Sequence, residues 1–90
     1  MFTDLVNIQG MDTMTLPAYL RHVSPEVRAA VAAHAETSVQ YLYKLAGNHG
    51  VPSKAMAQRI EDATRAHVEQ AGGVIVTAIA VMFPDRETAA

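Results

Sequence analysis

The sequence contains no cysteine, which excludes disulfide frameworks and thiolate metal sites and fits a reducing compartment. It also has no long hydrophobic run: the longest, residues 74–83, is about half the length that a helix needs to cross a bilayer. No amino-terminal stretch combines basic residues with an apolar run, so no secretion signal is visible. From these absences we expect a soluble protein of the cytoplasm.

Half of the 90 residues are hydrophobic, which argues against disorder and indicates one domain with a small core. Chains of this size often gain burial by forming oligomers. The net charge of −2 is unevenly distributed. Between residues 16 and 60, five basic side chains outnumber two acidic ones, whereas residues 1–15 and 61–90 carry net negative charge. A basic central segment suits a module that turns one face toward phosphate.

The stretch from Val27 to Gly47 has the pattern of two short helices joined at a tight polar break. Its first half carries a stripe of small apolar residues at helical spacing, and its second half repeats apolar residues at intervals of three and four. Thr37 and Ser38 stand where the second helix begins, and either side chain can cap it. Helices joined so tightly cross steeply and share a buried contact, here Ala32 against Leu42. The pattern predicts a helix-turn-helix.

The spacing of Val31 and Ala32 with Leu42 and Leu45 resembles the helix-turn-helix of the phage Cro and repressor family. Further segments resemble Cro-like proteins, including YdaS-type regulators: residues 15–20, 41–42, 51–53 and 57–64. The resemblance covers residues 15–64 and implies a mostly α fold, a lambda-repressor-like bundle of four to five helices. It departs from the family at the turn, where Glu36 stands in place of the favoured Gly.

Capping residues and prolines predict where the helices begin. We expect helices after Thr15, over Pro25 to His34, over Ser38 to Ala46 and after Ser53, the last one stopped by Gly72 and Gly73. On that last helix the outer face is expected to carry Lys54, Arg59 and Glu61. The predicted organisation is an arm or short strand at residues 1–14, the helix-turn-helix domain at 15–71, a dimerisation strand at 72–84 and a frayed tail at 85–90.

Residues 74–83 are rich in β-branched side chains and lie between a glycine pair and Pro84, which is typical of a strand. Both of its faces are apolar, and a lone strand leaves its backbone groups unpaired. Pairing with the same strand of a second copy satisfies both needs and resembles the Cro dimer. The alternative is a dimerising helix that presents Ile75, Ile79, Met82 and Phe83. The predicted dimerisation residues are Val74, Ile75, Val76, Thr77, Ile79, Val81 and Phe83.

The outer face of the second helix of the helix-turn-helix carries the candidate readers of DNA. Gln40 can hold adenine through two hydrogen bonds, Lys44 can reach guanine or phosphate, and Val39 can meet a thymine methyl. Tyr43 either bonds a phosphate or covers a neighbouring helix. The predicted DNA-binding residues are Ser38, Val39, Gln40, Tyr43 and Lys44, then Asn48 and His49, with Thr37, Ser53, Lys54 and Arg59 at phosphates.

These features together predict a sequence-specific DNA-binding regulator, a Cro-like repressor of a phage or mobile element in the cytoplasm of a bacterial host. It is expected to bind a pseudo-palindromic operator as a homodimer, without a cofactor and without a small-molecule substrate. The four histidines have no metal-ligand spacing, and no catalytic motif is present, so we expect neither a metal site nor an enzyme. The alternative is a protein-interaction module, such as an antitoxin or a host-factor inhibitor, built on the same fold.

Overall fold

The computed structural model describes residues 12–47 and 49–83. This part of the chain is mostly helical, as predicted, with five helices and a small two-stranded sheet. In chain order the elements are β1 (Asp12–Thr13), α1 (Leu16–His22), α2 (Pro25–His34), α3 (Val39–Ala46), α4 (Lys54–Ala66), β2 (Val74–Ile75) and α5 (Ala78–Met82). Residues 1–11 of the predicted arm and the tail at 85–90 lie outside the described residues.

Helices α1, α2 and α4 begin where the sequence predicts and α3 begins one residue later, at Val39, because each has a hydroxyl side chain at its N-cap. In every case the hydroxyl oxygen accepts a hydrogen bond from the backbone N–H three residues later, which satisfies one of the free donors of the first turn. The pairs are Thr15 with Ala18 (3.4 Å), Ser24 with Val27 (3.2 Å), Ser38 with Tyr41 (3.0 Å) and Ser53 with Met56 (3.0 Å). The predicted limits of α2, Pro25 to His34, are confirmed.

The turn between α2 and α3 closes in a Schellman motif. The N–H of Glu36 donates to the carbonyl of Ala33 (3.0 Å), and the N–H of Thr37 donates to the carbonyl of Ala32 (2.9 Å). Glu36 has a φ of 61°, in the left-handed region that glycine normally occupies at this position. The backbone therefore adopts a left-handed turn although the residue there is Glu.

A single apolar core joins the elements, and α4 is central to it. Helix α4 packs against α2, β2 and α5, while α3 packs against α1 and α2. Ala32 of α2 and Leu42 of α3, the two residues of the predicted helix-turn-helix contact, are both buried members of this core. The largest fully buried side chains are Tyr19, Leu20, Val31, Leu42, Ile60, Thr64 and Val76.

The prediction of a strand over residues 74–83 is wrong beyond Ile75. Strand β2 has only two residues and pairs in parallel with β1 of the same chain, Val74 opposite Asp12 and Ile75 opposite Thr13. Thr77 then caps α5, its hydroxyl accepting from the N–H of Ala80 (3.1 Å). Because strand propensity reflects packing more than backbone preference, the capping signal at Thr77 prevails over the β-branched composition.

Four of the predicted dimerisation residues are buried in the core of their own chain, so the prediction that they meet a second copy is corrected. These four are Val74, Ile75, Val76 and Val81. Thr77 is half-buried at its cap. The alternative, a helix that presents Ile75, Ile79, Met82 and Phe83, agrees with the structure in part: Ile79 is 61% exposed and Phe83 is 47% exposed, but Ile75 is buried on β2 and Met82 is half-buried. Among the described residues, no helix has both the length and the apolar character required to span a bilayer.

Candidate nucleic-acid interface

Helix α3 turns one polar face outward. Tyr43 and Lys44 lie three and four residues after Gln40, and Gly47, the C-cap, lies three residues after Lys44, which places all four along one side of the helix. All four are exposed. The opposite side is fixed in the core by Leu42 and Leu45, which are buried, while Val39 and Tyr41 are half-buried and pack against the core. The amphipathic spacing of α3 therefore determines which side chains face outward.

The side chains of Gln40 and Lys44 make no hydrogen bond and no ion pair within the part of the chain that the structure describes. Their side chains extend from a helix whose N-terminal end is fixed by Ser38 and by the α2–α3 turn. A glutamine amide and a lysine ammonium supply donors and an acceptor suited to base edges and phosphates. Gln40 and Lys44 therefore have the exposure that contact with base edges requires.

Tyr43 is linked to the preceding helix. The Nη1 of Arg28, on α2, donates a hydrogen bond to the Tyr43 hydroxyl, so the two helices are joined on their outer side. Arg28 is half-buried, and its Nε is buried without a hydrogen-bond partner among the described residues. Sequence analysis did not single out Arg28, since its role depends on how α2 crosses α3. The only relevant feature of Arg28 visible in the sequence was its positive charge.

A groove of about 250 Å³ runs between α1 and α3 beside this link. Its lining is mostly apolar, with Arg21 as the charged member and the Tyr43 phenol as a polar one. The lining residues are Pro17, Leu20, Arg21, Tyr43, Ala46 and Gly47. Arg21 is exposed, and sequence analysis did not single it out either, because the groove arises only from the packing of α1 against α3.

The imidazole of His49 lies over the end of α3. A Cβ atom at Gly47 would approach the His49 Cδ2 atom to 2.9 Å, so the absence of a side chain at Gly47 leaves room for the ring. The backbone N–H of His49 donates to the carbonyl of Lys44 at 3.0 Å. His49 is exposed and extends the outer face of α3 by one more residue. The neighbouring candidate, Asn48, lies outside the described residues.

The remaining candidates are placed at helix starts and at the turn. Ser38 and Ser53 are exposed, but their hydroxyls already serve as N-caps, and Thr37 is half-buried in the turn. Lys54 is exposed at the first residue of α4. No hydrogen bond or ion pair links these residues to the outer face of α3 within residues 12–47 and 49–83.

The prediction that Arg59 and Glu61 lie on the outside of α4 is corrected, since both are half-buried and engaged. The Nε of Arg59 donates to the carbonyl of Ala35 (3.2 Å), which places a cation at the negative end of α2 and holds the turn. Glu61 accepts from the N–H of Ala78 (2.9 Å) and forms an ion pair with Arg65 (2.8 Å). Arg59 therefore has a structural partner in addition to its predicted role at phosphate.

The basic groups around the outer face of α3 are not neutralised by neighbouring carboxylates. Over the described residues the single salt bridge is that of Glu61 with Arg65, on α4. Arg21, Arg28, Lys44 and Lys54 have no acidic partner there. The local electrostatics therefore favour an anionic ligand although the chain as a whole carries a charge of −2.

The described histidines are dispersed over the fold. His34 and His67 meet edge to face, with ring centroids 5.9 Å apart, and the Nε2 of His22 lies 2.7 Å from the carbonyl oxygen of Ala71. Within the described ranges, no cluster of three or more His, Asp or Glu side chains is arranged to hold a metal ion.

Comparison of the chain with models of known protein families, with curated proteins and with solved structures gives no match.

Proposed function

We propose that this chain is a sequence-specific DNA-binding regulator, a Cro-like repressor with a lambda-repressor-like arrangement of α1 to α4. The observation that carries the proposal is the exposure of Gln40 and Lys44, without partners, on the outer face of α3. The Schellman turn and the Ser38 cap fix the direction of that helix. A short helix presented in this way fits the major groove of B-DNA. The mobile-element context and repression follow from the resemblance in sequence.

The proposed regulator acts as a homodimer. One recognition helix reads few bases, and two helices spaced by one turn of DNA multiply the specificity. Since Val74, Ile75, Val76 and Val81 are buried, the proposed dimer contact now rests on α5, with Ile79 at its centre. Ile79 and Phe83 are both exposed, on and just after the last described helix, and a second copy would cover such an apolar surface.

The test of base reading uses Gln40. A pool of random duplexes is first selected with the wild-type protein, and binding is then measured on the selected duplex and on a shuffled version. Gln40→Ala is expected to weaken binding to the selected duplex about tenfold or more, because a bidentate contact to adenine contributes about 1–3 kcal/mol of discrimination. Binding to the shuffled duplex is expected to stay unchanged.

Gln58→Ala is the matched control, since Gln58 is an exposed glutamine on α4 that bonds the Asp62 carboxylate (3.1 Å). Equal loss on both duplexes in Gln40→Ala would contradict a base-reading role.

A protein-interaction module is the second candidate, and the exposure of Ile79 and Phe83 is the observation that favours it. The same selection separates the two classes. A DNA regulator is retained on duplexes more strongly as salt is lowered, because its binding releases counterions from the DNA phosphates. An interaction module enriches no duplex and shows no such dependence.

A further inference from the structure

We propose that Arg28 of α2, which is hydrogen-bonded to the Tyr43 hydroxyl of α3, and Arg21 of α1, which lines a groove together with Tyr43, form an oxyanion clamp that binds one phosphate of the DNA backbone beside the reading face. This inference rests on the proposed function and deepens it. It assigns a role to two arginines on helices other than α3. Their guanidinium groups have no acidic partner in the described part of the chain.

The first support is the state of the Arg28 guanidinium. Its Nη1 is used by the Tyr43 hydroxyl, while its Nε is buried with no acceptor among the described residues. A buried charged donor without an acceptor is costly, and such groups are rare unless they serve a purpose. The charge of this guanidinium is not neutralised in the described part of the chain, which favours an anion beside it.

The second support is the hydrogen-bonding state of Tyr43. Because the hydroxyl oxygen accepts from Arg28, its own O–H remains available to donate, and the described residues offer it no acceptor. Tyr43 is 45% exposed and lines the groove between α1 and α3 together with Arg21. The groove therefore presents the Arg21 guanidinium and the Tyr43 hydroxyl donor, with Arg28 bonded to that hydroxyl, and the lining of the groove contains no carboxylate. Guanidinium and hydroxyl donors in this combination select a phosphate-like oxyanion.

The third support is the position of the site relative to α3. Tyr43 lies three residues after Gln40 and directly before Lys44, on the same face of the helix. An anion held here lies next to any base edge that Gln40 contacts. In a duplex the group at that place is a backbone phosphate, and phosphate contacts of this kind fix the register of a recognition helix.

The experiment measures binding to the selected and shuffled duplexes as a function of salt concentration. The charge-removing variants are Arg21→Gln, Arg28→Gln and the double variant, and Arg65→Gln on α4 is the matched control. Losing one phosphate contact is expected to lower the slope of log K against log salt by about 0.9 for each protomer bound. The double variant is expected to weaken both duplexes equally and to leave their affinity ratio unchanged. Arg65→Gln is expected to change neither quantity.

Tyr43→Phe adds a readout that a purely structural role would not give. It removes the donor and leaves the charges in place, so affinity is expected to fall while the salt slope stays the same. Tyr41→Phe, at a half-buried position of the same helix, is its control. Thermal unfolding of each variant checks the fold, and Arg21→Gln at an exposed position supplies the result if Arg28→Gln fails to fold.

The outcomes separate the clamp from the function on which it rests. If the wild-type protein binds DNA but the double variant has an unchanged salt slope, the clamp alone is overturned. A loss of affinity confined to the selected duplex overturns the clamp as well. A wild-type protein that binds neither duplex overturns both proposals. The anion could also be free phosphate, which is tested by a titration with inorganic phosphate that follows the arginine side chains by NMR. If phosphate saturates the site and the duplex does not compete with it, the assignment to DNA is overturned.

Discussion

At the residue scale, Tyr19 places a polar hydroxyl inside the apolar core. It is fully buried on α1, and its hydroxyl has no hydrogen-bond partner among the described residues. Burial raises the pKa of Tyr19 above its ordinary value of 10.0, because the low-polarity surroundings disfavour the phenolate. The native state therefore prefers the neutral phenol more strongly than the unfolded chain does.

Tyr19→Phe is expected to raise the free energy of unfolding at pH 7 by about 1 kcal/mol, because it removes a buried hydroxyl that lacks a partner. The sign of the pH effect follows from the raised pKa. Above pH 10 the unfolded chain loses the Tyr19 proton first, so wild-type stability falls as pH rises through that range, and Tyr19→Phe lacks this loss. Urea unfolding at pH 7 and above pH 10 measures both effects. Tyr41→Phe is the control, and an equal alkaline loss in Tyr19→Phe would refute the assignment.

At the element scale, the outward direction of α3 depends on a turn that is held against the preference of its residue. Glu36 occupies the left-handed position of the Schellman motif, where a Cβ atom is unfavourable by about 1–2 kcal/mol. The hydrogen bonds to Ala32 and Ala33, and the Arg59 contact to the carbonyl of Ala35, stabilise the turn despite that strain.

Glu36→Gly is expected to raise the free energy of unfolding by about 1 kcal/mol, because glycine adopts the left-handed conformation without steric cost. Thermal or urea unfolding measures the change. Glu36→Ala removes the carboxylate but keeps the Cβ atom, so it separates charge from backbone strain and is expected to have little effect. If the alanine variant gained as much as the glycine variant, charge and not strain would be responsible.

Two polar side chains of α4 hold the end of the described chain. The Thr64 hydroxyl accepts from the N–H of Val76 (3.1 Å), and Glu61 accepts from the N–H of Ala78 (2.9 Å). Both Thr64 and Val76 are fully buried, so the hydroxyl substitutes for the ladder hydrogen bond that a longer strand would supply. These two contacts allow the chain to leave β2 after two residues and enter α5.

Thr64→Val is expected to lower the free energy of unfolding by about 2 kcal/mol, because the isosteric side chain leaves the Val76 N–H buried without an acceptor. Hydrogen exchange of the Val76 amide is expected to accelerate more than that of amides in α1. Thr64→Ser keeps the hydroxyl and is expected to preserve the protection of that amide. Unchanged exchange in Thr64→Val would show that the hydrogen bond is unimportant.

The starts of α1 to α4 were predictable because each N-cap hydroxyl bonds a backbone N–H only three residues later, so the signal is local in the sequence. The exposure of Gln40 and Lys44 followed from the apolar spacing of α3 in the same way. Helix α5 carries the same local signal at Thr77, but the β-branched composition of residues 74–83 favoured a strand there. The early end of β2 was not predictable, since the N–H groups of Val76 and Ala78 are bound by Thr64 and Glu61, more than ten residues away. The Arg28–Tyr43 link depends on the crossing of two helices, which no local pattern records.

At the scale of the whole molecule, unneutralised positive charge and the exposed apolar side chains of α5 belong to different elements. The basic side chains that have no acidic partner among the described residues lie on α1 to α3 and at the start of α4, whereas Ile79 and Phe83 lie on and after α5; the other exposed large apolar side chains are Tyr43 on α3 and Val51 in the loop before α4. A protein so arranged can bind an anionic polymer through one set of elements and another protein surface through the other.

Ile79→Asp is expected to convert the proposed dimer to a monomer, because a carboxylate placed in an apolar contact loses its hydration without gaining a partner. Light scattering coupled to size exclusion is expected to show the mass falling by half, with weaker binding to the selected duplex. Val51→Asp, at a loop position that is 86% exposed, is the control for adding charge to an exposed apolar site. A mass that is the same in Ile79→Asp and wild type would defeat the dimer proposal.

The parallel pairing of β1 with β2 has a consequence for biosynthesis. The N–H of Met14 donates to the carbonyl of Ile75 (3.0 Å), so the amide is translated about 60 residues before its acceptor exists. At about 5–20 residues per second, that interval lasts about 3–12 s, far longer than a helix needs to form. The segments of α1 to α4 are therefore synthesised before the ladder can close, and a nascent chain paused ahead of Gly73 would contain these four segments but lack the acceptors for the amides of Asp12 and Met14.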